Sequence, residues 1–587
     1  MLLSPLTDLV SKAFVANGLP PELGRVIVAD RPDLADVQCN GALQGAKLAG
    51  KPPRAIAESV MAELQKTGAD IFSDISIAGP GFINFKIKPE YLAQQLAAQD
   101  KDDKFGLEIP TNPETYLIEY VSANLGKDLH IGHLRNAMIG DAVRRLVTYK
   151  GYKVITDNHL GDWGLPMGQI LSECARRYPD LDYFKEDYNG PYPSEAPISF
   201  ADLCEIYPAA SKKSKAEPEE LKRAQQFTAI LQKGHPGYRA LWEYLMKLSI
   251  DNMNDRMRTL GVPDFDTYYG ESYMDQFIPF ILEDMKKKGI TEVIDGAVSV
   301  RVQRNSDKFD IPPLVIEKSM GGVTYAATDI ATFYQRKKDF NPDVVIILTD
   351  FRQELHFERM YRASVRAGYA EGMKFVHLMY GTINDNEGKP YKTRSGGVPG
   401  FNFLIDLASD KASERLKEIG LDQKFPEDQF NEIAKQIGLA SIKFGDLNNY
   451  RRSDYVFDVD RFVSFEGKTG PYIQYTVVRV NALVAKAAEQ GIQPGEFIVD
   501  PAYHDVALLL LQFPTIIDAA LNDYAPNVLA DYLFRLAQGI NRFYQTVPVL
   551  IEEDHAKRAA ALAVLSLSAR ILTTGLDLLG IKVPQQM

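Results

Sequence analysis

Residues 115 to 157 leave this chain few choices of fold. An apolar strand over Thr115–Val121 is followed by a loop, a helix that starts near His130 and stops at Gly151, and a strand over Lys153–Asp157. The helix keeps its apolar side chains on one face, at Leu134, Met138, Ala142, Leu146 and Tyr149. Two strands joined in this way pair in parallel through a right-handed crossover. The unit therefore predicts an α/β fold with a doubly wound parallel sheet.

At 587 residues the chain is too long for one hydrophobic core, and its patterns change along its length. Residues 1–108 mix helical and alternating segments, so they predict a small α/β domain. The parallel-sheet domain is expected over 109–380, interrupted by a polar insertion at about 178–265. Residues 381–470 predict a loop and a connecting helical region, and 471–587 predict an all-helical domain.

Four local patterns support this division. A helix is expected over about Ala55–Leu64, and the alternating segment Ile75–Ile87 turns at Gly79-Pro80-Gly81. The apolar run Val344–Leu348 predicts a further buried strand of the sheet. After about residue 425 the pattern is helical to the end, with two apolar stripes: Leu529, Leu533, Leu536, Ile540 and Phe543, then Leu562, Leu565, Ala569 and Leu572.

Composition limits the cellular compartment and the class of partner that can be expected. No run of about 18 apolar residues occurs, so no membrane span is expected, and Met1–Asp8 lacks the basic start of a signal peptide. The three cysteines, Cys39, Cys174 and Cys204, lie far apart, which fits the cytoplasm and excludes a cysteine-only zinc site. Because the net charge is −12, any nucleic-acid contact would need local basic patches.

The histidine box His130-Ile-Gly-His133 follows the first strand, at the edge where doubly wound sheets bind ligands. A helix N-terminus offers polyphosphate unpaired N–H groups and a positive dipole end. Gly132 leaves room for a flat adenine, and two imidazoles at this spacing can face the same phosphates. The alternatives are surface or capping histidines, or a metal site, which lacks a regularly spaced third ligand. With His159, three of the eight histidines lie in this unit, and this concentration favours a catalytic role over a structural one.

In this context the box resembles the HIGH signature of class I aminoacyl-tRNA synthetases. The flanking stretches Glu119–Asn124 and Asn158–Gly164 are similar to those of arginyl-tRNA synthetases. The similarity spans nearly the whole chain in the family's domain order, through Ala78–Phe85, Leu260–Asp266, Gly270–Ser272, Glu466–Tyr475 and the last 80 residues. It implies a Rossmann-type catalytic domain with an insertion, an N-terminal α/β domain that contacts tRNA, and a helical anticodon-binding domain.

The second signature of class I synthetases, the KMSKS loop, is altered in this chain. In Tyr391-Lys-Thr-Arg-Ser-Gly396 the residues Lys392 and Arg394 match the family pattern, with arginine where a lysine holds the ATP phosphates. An arginine fork is bulkier than an ammonium group and need not reach the same oxygen. Arginyl-tRNA synthetases that lack the standard loop carry a lysine just before HIGH, so the resemblance assigns that role to Lys127. The alternative for the altered loop is an ordinary solvated turn, and the alternative for Lys127 is an ordinary exposed loop lysine.

The resemblance thus implies catalytic and ATP-binding residues His130, Gly132, His133, Lys127, Lys392 and Arg394. An arginine site needs paired carboxylates, because an unpartnered buried guanidinium is costly. The resemblance gives this task to Asp329 and Tyr325, with Glu119 as a third member. It assigns the backbone end of the amino acid to Asn124 and Gln353. The alternatives are a surface acid for Asp329, core packing for Tyr325 and a strand-end salt bridge for Glu119.

The implied activity is ATP-dependent attachment of L-arginine to tRNA(Arg) through an arginyl-adenylate, with release of AMP and pyrophosphate. Mg²⁺ follows from the ATP chemistry, and we expect a cytoplasmic monomer with no DNA or membrane partner and no resident metal. A class I synthetase for cysteine is disfavoured by the missing Cys/His zinc set and by Lys127. The alternative of a small nucleotidyltransferase is disfavoured because that function would not explain the helical C-terminal third of the chain. A non-catalytic, tRNA-binding member of the family is disfavoured because both histidines of the box are present.

Overall fold

The computed structural model describes every residue except 1, 2, 30, 32, 320, 321 and 392–397. The chain divides into two compact units. The first unit comprises Met1–Ile109, Leu416–Phe444 and Val463–Met587, and the second comprises Pro110–Arg415 and Gly445–Phe462.

The N-terminal part of the first unit is an α/β domain. Its elements are α1 (Leu3–Ala16), β1 (Val26–Val28), β2 (Val37–Cys39), α2 (Gly41–Ala49), α3 (Pro53–Thr67), β3 (Phe72–Ala78), β4 (Phe82–Ile87) and α4 (Pro89–Asp100). The strands form an antiparallel sheet in the order β1-β2-β4-β3. The predicted helix is α3, which begins earlier than expected because a proline suits the first helical position. The predicted alternating segment is the β3–β4 hairpin.

The remaining elements up to residue 462 belong to the second unit, except for the helix Glu427–Leu447 and the last residues of the helix Phe403–Glu418, which belong mainly to the first. They are β5 (Thr115–Glu119), α5 (Ile131–Tyr149), β6 (Lys153–Asp157), α6 (Leu165–Arg177), α7 (Phe200–Ala216), α8 (Pro218–Gln232), α9 (Pro236–Thr259), α10 (Glu271–Met274), α11 (Ile278–Lys287), β7 (Glu292–Ile294), β8 (Ala297–Val300), β9 (Leu314–Glu317), α12 (Tyr325–Asp339), β10 (Val344–Asp350), α13 (Glu354–Arg366), β11 (Lys374–Tyr380), β12 (Ile383–Asn384), α14 (Phe403–Glu418), α15 (Glu427–Leu447), β13 (Tyr455–Val456) and α16 (Val459–Phe462).

Four of these strands form the predicted parallel sheet, in the order β11-β10-β5-β6. The order of the strands reverses between β5 and β10, and ligands bind at such a switch point in doubly wound sheets. The register sets Glu119 on β5 beside Asp157 on β6. The same glutamate pairs with Ile347 of β10 on the other side. The switch point therefore carries ionisable side chains at the carboxyl ends of its strands.

The first strand of the sheet is shorter than predicted. It ends at Glu119 because Val121 and Ser122 adopt left-handed backbone, with φ of 73° and 45°, which is strained for a β-branched residue. The Val121 N–H donates to Oδ1 of Asn136 on α5 over 2.7 Å. The Asn136 amide in turn donates to the Leu348 carbonyl of β10 over 2.8 Å. These bonds hold a sharp corner at the switch point.

The C-terminal part of the first unit is helical, with α17 (Gly470–Glu489), α18 (His504–Asn522), α19 (Pro526–Thr546) and α20 (His555–Leu578). Both predicted stripes are buried on α19 and α20, which confirms Phe543 as a core residue. The expectation of helix throughout from residue 425 is wrong at Tyr455–Val456, which pairs with Ile383–Asn384. Residues Pro501–Asn522 and α20 are long and apolar enough to cross a membrane, but 50% and 72% of their apolar windows are buried within the protein.

Candidate active site

A cavity of about 330 Å³, here called the main cavity, lies at the switch point of the parallel sheet. Its walls include the ends of β5 and β10, the histidine box and one face of α12. Four carboxyl groups line it, from Glu119, Glu271, Asp329 and Asp350. Among the described residues the lining contains one permanent cation, Arg336. An excess of carboxylates in a cleft favours a cationic ligand.

The histidine box forms the start of α5 and caps it. The Gly132 N–H donates to Nδ1 of His130 over 3.1 Å, and the His130 N–H donates to Nδ1 of His133 over 3.1 Å. Because each Nδ1 accepts a bond, each neutral ring carries its hydrogen on Nε2. A Cβ on Gly132 would lie 2.9 Å from Cε1 of His130, so this glycine also makes room for the capping ring. The histidines therefore both cap the helix and line the cavity.

The two imidazoles are neutral near pH 7. Burial, together with the charges of His130 and Lys127, lowers the pKa of His133 to about 3. Burial also lowers the pKa of His130. The box therefore offers a ligand uncharged N–H donors at a helix N-terminus, which suit phosphate oxygens.

The chain that follows the altered KMSKS loop returns to the histidine box. The Ile131 N–H donates to the Pro399 carbonyl over 3.2 Å, and the Phe401 N–H donates to the Leu129 carbonyl over 2.8 Å. Lys392 and Arg394 lie outside the described residues. The described residues after this loop, Pro399–Phe401, are therefore anchored directly beside His130.

Lys127 is exposed and is not part of the lining of the main cavity. Its Nζ is 4.8 Å from the centre of the Tyr207 ring. In the described part of the chain it lines a second cavity, and His130 is the residue that lines both. The lysine therefore lies within electrostatic range of the box but points towards α7.

Four of the five predicted arginine-binding residues line the main cavity: Glu119, Asn124, Asp329 and Gln353. Asp329 lies on the first turns of α12, and its Oδ2 is 2.7 Å from Nε2 of His356 on α13. Tyr325 begins the same helix, is 66% exposed and lines a neighbouring cavity of about 570 Å³. Glu271 lines both cavities, so it stands between Tyr325 and the rest of the group.

Glu119 belongs to a buried ion cluster. Arg336, which is fully buried on α12, bonds to Oε2 of Glu119 and, over 2.8 Å, to Oδ2 of Asp157. The remaining oxygens accept from Ser122 (3.0 Å) and Thr267 (2.7 Å). Burial alone would raise the pKa of Glu119, but the charge of Arg336 holds that pKa below its ordinary value. One guanidinium thus ties together the ends of β5 and β6.

Glu271 is the least compensated acid of the cavity. Its pKa is raised to about 7, mainly by burial; the nearby carboxylates of Asp162 and Asp329 act in the same direction, and His159 acts in the opposite one. Among the described residues, no hydrogen bond or ion pair satisfies its carboxyl group, whereas Asp162 accepts from Ser272 N–H and Oγ. A cation bound near Glu271 would stabilise its ionised form.

The sequence patterns did not indicate Glu271, Arg336, Asp157 or His356 as members of the site. Glu271 stood in the Gly270–Ser272 stretch that carried the family resemblance, without a role. Arg336 is followed by Lys337 and Lys338, a pattern typical of the solvated end of a helix. One signal could have found it: an acid in the buried strand β5 requires a buried cation somewhere in the chain. Within the described residues, no group of three or more His, Cys, Asp or Glu side chains could hold a metal ion.

Three family models match consecutive parts of the chain. They describe an arginyl tRNA synthetase N terminal domain over residues 4–87, the catalytic domain of tRNA synthetases class I (R) over 95–459, and a DALR anticodon binding domain over 473–587. The arginine–tRNA ligase of Alkaliphilus oremlandii is 40% identical and covers all of both chains. That of Maricaulis maris is 41% identical over 99% of each chain.

Solved structures show the same fold. The arginyl-tRNA synthetase of Plasmodium falciparum has a TM-score of 0.82 at 22% identity, covering 100% of this chain and 99% of that one. The enzyme of Thermus thermophilus has a TM-score of 0.79 at 25% identity, with both chains fully covered.

Proposed function

Because this chain belongs to the arginyl-tRNA synthetases of class I, we propose that its main cavity binds arginine and ATP side by side. The protein is an arginine–tRNA ligase, which joins L-arginine to tRNA(Arg) at the expense of ATP. The observation that supports this use of the cavity is its composition. Carboxyl groups line one part and the neutral histidine box lines another, which suits a guanidinium and a polyphosphate respectively.

The guanidinium lies between Asp329 and Glu271, with the Tyr325 hydroxyl approaching from the neighbouring cavity. Lysine carries one compact ammonium group and cannot bond to two separated carboxylates as a planar fork does. Glu119 is already bonded to Arg336, so its part is to hold the end of β5 and to face the substrate ammonium group. Asn124 and Gln353 hold the same backbone end of the amino acid.

The phosphates of ATP lie at the start of α5, where His130 and His133 donate through Nε2 and Gly132 admits the adenine. Lys127, Lys392 and Arg394 supply positive charge around the β- and γ-phosphates. Mg²⁺ accompanies ATP and is held by the phosphate oxygens, since the described residues offer it no ligand cluster of their own.

Activation joins a carboxylate oxygen of arginine to the α-phosphorus of ATP. The bond from that phosphorus to the bridging oxygen breaks, and its electron pair leaves with pyrophosphate. A ribose hydroxyl of the tRNA terminal nucleotide then attacks the acyl carbon, and AMP leaves. Neutral donors that are already oriented stabilise the charge that develops on the departing phosphates.

The remaining assignments follow the family. Residues 1–108 and 471–587 contact tRNA, the latter at the anticodon, while 109–380 and 381–470 carry the chemistry. We assign a cytoplasmic monomer with no membrane or DNA partner. ATP–pyrophosphate exchange requires tRNA(Arg) to be present.

Aminoacylation of tRNA(Arg) with each of the twenty amino acids tests the function. Arginine is the one amino acid that should be attached. Attachment of another amino acid, with no attachment of arginine, would contradict the proposal.

A further inference from the structure

A second cavity, of about 630 Å³, borders the histidine box at His130, and none of the proposed arginine-binding residues lines it. Lys127 of the loop before α5 and Lys212 and Lys215 of α7 line it, and we call it the lysine cavity. Lys212 and Lys215 are three residues apart, so they lie on one face of the helix. Tyr207, one turn earlier on α7, packs its ring against Lys127.

The charges of this cavity are uncompensated. Among the described residues, no carboxylate forms an ion pair with Lys127, Lys212 or Lys215. The one acid in the lining, Asp128, has Arg256 at 3.6 Å. By contrast Lys213, between the two helix lysines, is bonded to Glu173 over 2.9 Å. Three free ammonium groups around one cavity make a site for a compact polyanion.

His130 connects the lysine cavity to the main cavity, because it lines both. It is also the first residue of the box that faces the ATP phosphates in the function proposed above. The leaving group of the activation step therefore departs beside the opening of the lysine cavity. The charge of Lys127 already extends to both histidines, since it contributes to lowering the pKa of each.

We propose that the lysine cavity receives the pyrophosphate released by activation and that Lys212 and Lys215 bind it. This inference rests on the proposed function, because adenylation is what produces pyrophosphate. When the bond between the α-phosphorus and the bridging oxygen breaks, that oxygen becomes a terminal oxygen of the pyrophosphate. The product then carries several negative charges on one small group, and three lysines at one cavity match that density.

An RNA backbone is the other polyanion of this reaction, and it spreads one charge per nucleotide along its length. It would use basic groups distributed over a surface. The clustering of the three lysines beside the reacting phosphates favours pyrophosphate over an RNA strand.

Steady-state exchange and inhibition measurements on the full chain test this site. The variant is Lys212→Ala/Lys215→Ala, and the control is Lys222→Ala/Lys233→Ala, which removes the same charge from exposed positions of α8 and its C-terminal end. In arginine-dependent ATP–pyrophosphate exchange with tRNA(Arg) present, the KM for inorganic pyrophosphate should rise about three- to tenfold in the first variant. Inhibition of aminoacylation by added pyrophosphate should weaken by the same factor. Lys212→Arg/Lys215→Arg should restore both values, and the control should not change them.

Two results would overturn the assignment. One is an unchanged KM for pyrophosphate in the alanine variant. The other is a raised KM for tRNA(Arg) with no change for pyrophosphate, which would make the cavity an RNA contact. If the proposed function itself were wrong, the result would be different: the unaltered protein would show no arginine-dependent exchange. If another amino acid supported exchange, the same comparison of pyrophosphate KM values would still decide the role of the lysines.

Discussion

Asp329 shows how one contact prepares a carboxylate for its ligand. His356 bonds to its Oδ2, and no other hydrogen bond reaches this carboxylate within the described part of the chain, so Oδ1 is available to the cavity. We expect Asp329→Ala to reduce kcat/KM for arginine by an amount equivalent to about 2–5 kcal/mol, because it leaves a desolvated charge without its partner. The matched control is Asp339→Ala, which removes an exposed acid from the same helix. If kcat/KM for arginine fell by less than about tenfold, or about 1.4 kcal/mol, Asp329 would be an ordinary surface acid and not an arginine-binding residue.

Glu271 should give the enzyme a pH dependence for arginine. Since burial raises the pKa of this carboxyl to about 7, it is largely protonated at lower pH and has no charge for the guanidinium. The value of kcat/KM for arginine should therefore rise with pH to about 7 and then level off. In Glu271→Gln the value should be low and the rise should disappear. An identical rise in the glutamine variant would assign the titration to another group.

Lys127 should matter for activation rather than for arginine affinity. It lines the lysine cavity beside His130 and does not line the main cavity that holds the carboxylates. In Lys127→Ala, single-turnover formation of the adenylate should slow by more than the KM for arginine rises. A variant that changes the arginine KM alone would show that Lys127 does not compensate for the altered KMSKS loop.

At the scale of elements, Arg336 links α12 to the ends of β5 and β6. Replacing it with methionine leaves the carboxylates of Glu119 and Asp157 buried without a cation, so the free energy of unfolding should fall by about 3–5 kcal/mol at neutral pH. Urea unfolding measures this change. Arg352→Met, which breaks an exposed pair with Asp350, is the control and should cost about 0–1 kcal/mol.

The pH dependence of this loss has a definite sign. In the unaltered protein the pKa of Glu119 is below its ordinary value, so its contribution to stability is present above that value and is lost as pH falls. Without Arg336, burial raises the pKa of the same carboxyl, and protonation relieves the penalty. The difference between the two proteins should thus shrink towards acid pH. A loss below about 1 kcal/mol at neutral pH would mean that the cluster is not what holds the strand ends.

The strands of the sheet could be predicted because their signals are local. Lys153–Asp157 is observed at its predicted limits, and the apolar run from Val344 extends only two residues further than expected. The end of β5 could not be predicted, since the left-handed backbone of Val121 depends on Asn136 of another element. An acid in the buried strand β5 calls for a buried cation, but which residue supplies it could not be predicted, because Arg336 lies 217 residues after Glu119 and no local pattern indicates such a pairing.

The same limit applies to the residues of the site. The histidine box and Asp329 were identified by sequence motifs, whereas Glu271 enters the cavity through the fold of residues 260–278. The exposed position of Tyr325 depends on how α12 begins, which a helical spacing of four does not reveal.

At the scale of the whole molecule, the chain combines three modules whose family matches follow one another from residue 4 to 587. The net charge of −12 does not exclude a tRNA partner, since local groups such as the lysine cavity remain basic. What makes this synthetase specific for arginine, in our account, is the pair of carboxylates in the main cavity.

The most direct test of that claim is ATP–pyrophosphate exchange with tRNA(Arg) present, compared between arginine, lysine and citrulline. Citrulline has nearly the shape of arginine but no charge, so it leaves Asp329 and Glu271 unpaired. We predict exchange with arginine and, with either analogue, a value of kcat/KM lower by at least about a thousandfold. Exchange with citrulline at a rate close to that with arginine would show that the carboxylates do not select the substrate.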